Sequence, residues 1–293
     1  VKENSRRYHM KLQRKKLRIS DLLIKTLIKF CAFFTIAMVV YIMGYIFVRG
    51  IPAINTELLT TAPSELKGTV GILPMIINTI YIIVVTLVVT TPISIGAAIY
   101  LSEYSKKNNK FVKVIEFTTQ TLAGIPSIIF GLFGFVFFGV FLKMGYSLLS
   151  GALTLAIMVM PTIVRTTQEA LKTVPNSYRE GAIGLGATRL YLIRTILLPS
   201  ALPGIMTSII LSIGRIVGES AALIFTAGIG YMLPKGFFTH LRSSGATLTV
   251  QLYQYAMRGE NLEITYAIAS VLMIIVLIIN FAAKKFAAAL KKG

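Results

Sequence analysis

The chain has 293 residues, with 30 Lys and Arg against 11 Asp and Glu, and a formal net charge of +19. Hydrophobic residues make up 55% of it and charged residues 14%, against about 25% charged in an ordinary soluble domain, and mean hydropathy is +0.75. These figures disfavour a soluble globular enzyme, a disordered chain and a secreted disulfide scaffold, and leave a polytopic membrane protein with a basic surface.

In chain order, residues 1–25 form a basic, polar N-terminal arm. A helical span takes about 20 mostly apolar residues, and six stretches meet that requirement: Thr26–Val48, Gly71–Leu101, Thr121–Leu142, Leu148–Thr166, Ala201–Ala227 and Ile264–Ala283. The expected fold class is therefore all-α, with six transmembrane helices in one membrane domain over residues 26–283 and a basic tail over 284–293. The first apolar run lacks a small-residue cleavage site and reads as an anchor rather than a signal peptide. Pro74, Pro92 and Pro203 are expected near span ends, where a missing N–H matters least. Pro126 and Pro161 lie deeper and are expected to kink their helices. In the third span Gly124, Gly131, Gly134 and Gly139 allow close packing, against either another subunit or a helix of the same chain. Cys31 is the single cysteine and lies in an apolar run, where it is expected as a small buried hydrophobe. With only His9 and His240 beside it, a zinc site of His and Cys is not expected.

Orientation follows from the distribution of Lys and Arg. The first 29 residues, the loop from Glu103 to Thr119, the segment from Arg165 to Arg194 and the tail together hold 23 of them, and the opposite loops hold six. The basic side is expected to face the cytoplasm, with both termini on it. The charge is then topology facing anionic lipid headgroups rather than a nucleic-acid surface. Outer loops are expected over Arg49–Val70 and over residues 230–263, the latter with a short amphipathic or interfacial helix in Leu248–Ala256.

The cytoplasmic loop over residues 171–199 carries its own structural signals. Pro175, Asn176 and Ser177 start a helix, Tyr178 to Ile183 continue it, and Gly184 and Gly186 stop it with a sharp turn. Thr188 caps a second helix that runs from Arg189 to Leu198 and stops at Pro199. Leu185 and Tyr191 remain available as apolar contacts. The spacing Glu180-x-Ala182-x-x-x-Gly186, nine residues, Ile196-x-Leu198-Pro199 resembles the EAA loop of ABC-transporter permeases, with Gly181 where that pattern has its first Ala. The resemblance implies a type I importer permease fold in which this short helix docks into a groove on a separate cytoplasmic ATPase. Small residues at Gly181, Ala182 and Gly186 suit close entry into a groove, and Glu180 offers an anion to a basic partner residue. The sequence shows no Walker A pattern, so ATP and Mg belong to the partner ATPase, and this chain is expected to be no enzyme and to hold no cofactor or metal of its own.

Span five holds Arg215 and Glu219, four apart and so expected on one helix face with Ser212. A charge in mid-membrane costs about 2.5–3.5 kcal/mol on insertion scales, and such residues normally face a bundle interior or a water-filled path. Arg165, at the inner end of span four, is expected at the same cavity. Guanidinium groups bind oxyanions through paired N–H donors, and a carboxylate beside them suits an anion that still carries a proton, such as hydrogen phosphate. The alternative is that Arg215 and Glu219 neutralise each other and stiffen the helix, or act as a gate. The stretch Arg215-Ile-Val-Gly-Glu-Ser-Ala-Ala-Leu-Ile-Phe-Thr-Ala227 is similar to phosphate permeases of the PstA type, with Ser220 and Ala222 where that pattern has Thr and Pro. Pro161-x-x-x-Arg165-x-x-x-Glu169-Ala-Leu171, the stretch Leu248 to Ala256, and Asn280 extend the similarity. It implies pathway residues Arg165, Arg215 and Glu219. It also implies a PstC-type second permease subunit, two ATPase subunits and an extracytoplasmic phosphate-binding protein as partners, besides the lipid bilayer and inorganic phosphate. A permease for sulfate or molybdate, or an ATP-independent channel, are the other readings. Asn78, Arg215, Glu219 and Asn280 are too scattered for an intramembrane enzyme site.

Overall fold

The structure, a computed structural model, describes residues 19–64, 69–105, 110–234, 236–259 and 261–290. Among the described residues it holds helices and no strand, and the pairing Ser64 to Thr69 is an isolated bridge. The chain divides into two compact units, one up to Val48 and one from Arg49 onward. Most of the basic arm lies outside the described residues, and from Ile19 the arm is already part of helix α1 (Ile19–Gly50). Side chains from Leu22 to Ile42 are exposed, and Cys31 is exposed with them. Its expected burial is not found, because all neighbouring side chains along this stretch of helix point outward as well.

The second unit begins with the short helix α2 (Thr56–Thr60), whose start is capped by the Asn55 side chain accepting from the Leu58 N–H at 2.7 Å. Helix α3 (Leu73–Ile99) follows and continues into a wide π-turn over Tyr100–Tyr104. Helix α4 (Lys110–Ala123) and helix α5 (Ser127–Gly134), the latter extended by a π segment over Phe135–Phe141, come next. Helix α6 (Leu148–Lys172) is the most buried long helix and runs unbroken through Pro161. Beyond it lie α7 (Asn176–Gly184), α8 (Arg189–Leu192), a π-turn over Ile193–Leu197, α9 (Leu198–Val217) and α10 (Ala221–Thr226). The chain closes with α11 (Phe237–Leu241), α12 (Leu248–Arg258) and α13 (Leu262–Leu290). Among the described residues, five helical runs are long and apolar enough to cross a membrane, and α4 with α5 makes a sixth if that bent pair is one span.

Three boundaries differ from expectation. The third span is not a straight helix over Thr121–Leu142, because α4 and the α5 segment meet at 105°. Gly124 and Ile125 close α4 with tight bonds back to Thr121 and Leu122, and Pro126, with ψ 140°, turns the chain outward before α5. The fifth span is displaced toward the N-terminus: the helical run spans Arg189–Val217 without stopping at Pro199. The π-turn over Ile193–Leu197 lies just before that proline, where a wider turn relieves the clash between a proline ring and the carbonyl four residues earlier. Pro92 and Pro203 likewise sit inside α3 and α9 rather than at their ends. Third, α13 runs on through the expected tail as far as Leu290, and the last three residues lie outside the described ones.

The core is built by α3, α6 and α9. The Thr86 and Thr90 hydroxyls donate across to the Ala152 and Ala156 carbonyls of α6, each at 3.2 Å. In an apolar medium such bonds tie two helices where the hydrophobic effect cannot. A Cβ on Gly131 would meet the Ala222 backbone, and one on Gly134 would meet Thr154 and Thr226. These two glycines therefore serve packing within the chain, while Gly124 meets only its own turn.

Candidate functional site

Loop 171–199 forms a helix–turn–helix at one end of α6. Helix α7 starts after Pro175 and ends at Gly184, and the turn is completed by Gly186 at φ +81°, a conformation that glycine adopts without steric cost. Thr188 then caps α8 by accepting from the Tyr191 N–H at 3.3 Å. The faces of α7 are sharply divided. Glu180, Gly181, Ile183 and Gly184 are exposed, and Leu185 just beyond is 91% exposed. A Cβ at Gly181, Gly184 or Gly186 would meet nothing. Ala182 points the other way and is buried with Leu171, Val174, Leu192, Ile193 and Leu197. Its small size therefore lets α7 lie close against its own chain instead of serving entry into a partner. Ile196 and Leu198 pack against the same cluster, whereas Pro199 is exposed.

One side chain that the sequence did not single out holds this loop. Arg179 of α7 donates from Nη2 to Glu103 Oε1 at 2.9 Å and from Nε to Glu103 Oε2 at 3.3 Å. It also donates to the Val174 carbonyl at 2.7 Å, the Leu171 carbonyl at 3.0 Å and Asn176 Oδ1 at 3.4 Å. The two charged side chains are 18% and 12% exposed. Glu103 lies 76 residues away on the π-turn that ends α3, so no local spacing could reveal the pair. The only cue was an arginine beside the motif glutamate.

At the other end of α9, Arg215 and Glu219 do not share a helix. The helix ends at Val217, and Glu219 lies in the break before α10. Its Oε1 accepts from the Ala222 N–H at 3.1 Å, so one carboxylate oxygen is engaged by the start of α10. Arg215 stands in the last turn of α9, where a cation complements the helix dipole. It is half-buried, and its side chain has no hydrogen-bond or ion-pair partner among the described residues. The two charges are thus stabilised by two helix ends and do not neutralise each other. Ser212 is fully buried and donates to the Ser208 carbonyl at 2.9 Å, which takes its hydroxyl away from the charged pair. Arg165 forms an exposed ion pair with Glu169 on α6 at 3.2 Å. Ala170 of α6 faces Gly204 of the antiparallel α9. At 1.5 Å per residue this register sets Arg165 and Arg215 about 9 Å apart along the bundle.

The break beside Arg215 is held by the first turn of α12. The Thr249 hydroxyl donates to the Val217 carbonyl at 3.0 Å, and the Leu248 N–H donates to Thr79 Oγ1 at 3.0 Å. Asn78 of α3, fully buried, donates to the Ala246 carbonyl at 2.9 Å and accepts from His240 Nε2 at 2.7 Å. Burial pushes the His240 pKa below its ordinary value, which keeps the ring neutral. Helix α12 is therefore inserted by its first turn, with Leu248 to Gln251 buried, and is not a surface helix lying flat. The Asn78 to His240 contact spans 162 residues, beyond the reach of any sequence pattern.

Known proteins share this fold. A solved bacterial ABC transporter involved in the import of the acidic polysaccharide alginate has a chain that matches 94% of this one and 98% of its own length, at TM-score 0.64 and 18% identity. The MetNI methionine ABC transporter, in inward-facing conformations, matches 75% of this chain and 94% of its own, at TM-score 0.59 and 22% identity. The fold is that of the membrane-spanning subunits of type I ABC importers. The pattern of the binding-protein-dependent transport system inner membrane components matches residues 90–292, and the chain belongs to that family. Among its relatives is the phosphate transport system permease protein PstA of Pasteurella multocida, 36% identical over 92% of this chain and 95% of its own length. Another is the probable ABC transporter permease protein YqgI of Bacillus subtilis, 32% identical over 91% and 95%.

Proposed function

We propose that this chain is a PstA-type permease subunit of an ATP-driven phosphate importer and lines half of its translocation path. The observation that carries the reading is Arg215, a half-buried guanidinium at a helix break with no partner among the described residues. Near-full-length similarity to a protein named as a phosphate permease supports it. A guanidinium presents a planar fork of donors to a tetrahedral oxyanion, and Glu219 is one break away to accept the proton of hydrogen phosphate. Arg165 is an entry or exit residue for the same anion, engaged when Glu169 releases it.

In this reading α7 and both termini lie on the cytoplasmic side, as the basic residues require. ATP and Mg are held by two copies of a separate ATPase, which dock against the exposed face of α7 around Glu180, Gly181 and Gly186. A PstC-type subunit supplies the other half of the path, and an extracytoplasmic phosphate-binding protein delivers the anion. The chain itself performs no hydrolysis. Arg215→Ala in the assembled transporter, reconstituted in vesicles, is expected to lower phosphate uptake at least tenfold while ATPase subunits still copurify. Unchanged uptake would remove Arg215 from the path, and a wild-type complex that moves sulfate in preference to phosphate would overturn the substrate.

A further inference from the structure

Helix α7 has two kinds of attachment to the rest of the chain. Ala182 sits in an apolar cluster, and apolar packing is non-directional, so a helix held by it alone can slide. Arg179 is different. Its five contacts reach three elements: the π-turn that ends α3 through Glu103, the end of α6 through the Leu171 and Val174 carbonyls, and α7 itself through Asn176. A guanidinium has five N–H donors in a fixed plane, and every nitrogen of this one is engaged. One of its acceptors, the Leu171 carbonyl, lies in the last turn of α6, and another, the Val174 carbonyl, lies in the short segment between α6 and α7. Ser102 Oγ also donates to Glu103 Oε1 at 3.1 Å, which fixes the carboxylate in turn. Beyond the clamp, Thr86 and Thr90 tie α3 to α6, so the two spans form one block.

We propose that the Glu103–Arg179 pair is the mechanical link of the transporter: it converts displacement of α7 by the docked ATPase into movement of the α3–α6 block. The proposal rests on the reading of this chain as an ATP-driven permease. Glu180 and its neighbours receive the motor, and Arg179, one residue earlier and about 100° round the helix, passes the motion on. Arg179 and Glu103 are positioning residues, since neither touches the transported anion.

The test is the number of phosphate ions taken up per ATP hydrolysed by the complete transporter with its binding protein in vesicles. In Arg179→Ala and Glu103→Ala the ratio is expected to fall at least fivefold, because hydrolysis continues while α7 moves without the spans. Arg179→Lys keeps the charge and loses the fork, and is expected to fall between these and wild type. A purely structural role would lower the amount of assembled complex and leave the ratio unchanged, and an unchanged ratio overturns the proposal whatever the absolute rates. Should the alanine variants fail to assemble, Glu103→Gln, equal in size, decides by the same ratio. A wild-type complex that hydrolyses ATP without moving phosphate refutes the substrate and not the link. The link is then decided by spin labels at Tyr104 and Tyr178, whose separation is expected to stay constant with and without ATP in wild type and to change in Arg179→Ala. A separation that changes with ATP in wild type overturns the link.

Discussion

Asn78 is the most demanding position in the bundle, and its removal has a calculable effect. Its amide joins two buried groups, donating to the Ala246 carbonyl and accepting from the His240 ring. Asn78→Ala leaves that carbonyl and that N–H without partners. Each stranded buried group costs about 1–3 kcal/mol, so the pair amounts to about 2–6 kcal/mol. Polar contacts between membrane helices often contribute only about 0.6 kcal/mol, because the freed groups find other partners. Here Asn78 is 0% exposed and His240 3% exposed, which denies both groups water and argues for the larger range. The assay is denaturant or thermal unfolding of the purified subunit or complex, with Asn78→Ala, His240→Phe and the double variant. The double variant is expected to be less destabilised than the sum of the singles, by about 0.5–3 kcal/mol, the range seen for residues that share one network. An Asn78→Ala protein within 0.5 kcal/mol of wild type, a range typical of surface substitutions, would refute the reasoning.

Acid should weaken the same corner. The folded-state pKa of His240 lies below its ordinary value because burial disfavours the imidazolium, so the unfolded chain binds more protons once pH falls below about 6.5. Stability is expected to be level above that value, to decline from it down to the lowered folded pKa, and to lose this slope in His240→Phe; unfolding curves at several pH values check it. Gly131→Val is expected to destabilise the chain by about 1–3 kcal/mol, as overpacking does, since its Cβ would meet the Ala222 backbone. Gly124→Ala, with no contact beyond its own turn, serves as the control, and melting temperatures of the two variants decide the contrast.

Span existence and the helix–turn–helix of loop 171–199 were legible because each rests on local information. Apolar length marks the spans, and the order of Pro175, Gly184, Gly186 and Thr188 marks starts and stops. The turn at Gly124 to Pro126 was equally local, but its angle of 105° depends on what α4 and α5 pack against. Arg215 and Glu219 illustrate the opposite case. Four-residue spacing places two residues on one face only if the helix continues, and at Val217 it stops. Ala182 shows a related limit, since a small residue in a motif does not announce which of two surfaces it fits. Contacts such as Arg179 with Glu103 and Asn78 with His240 join distant parts of the chain, and a sequence records no distance between them.

These long-range contacts also divide the labour along α3. At one end Glu103 is bound to α7, through which the ATPase would act. Twenty-five residues earlier Asn78 is bound to the segment that leads into α12, and that segment reaches the end of α9 through Thr249 and the Val217 carbonyl. Arg215 lies two residues before that carbonyl. A helix of this length carries displacement from one end to the other through backbone bonds interrupted at Pro92, which has no N–H to give, and the polar pairs at its two ends, like the Thr86 and Thr90 bonds between them, are directional. Movement of α7 therefore has a continuous bonded route to the break that holds Arg215 and Glu219. Arg215 and Glu219 form no ion pair with each other and stand at different helix ends, so a shift of α9 against α10 changes their separation without first breaking one.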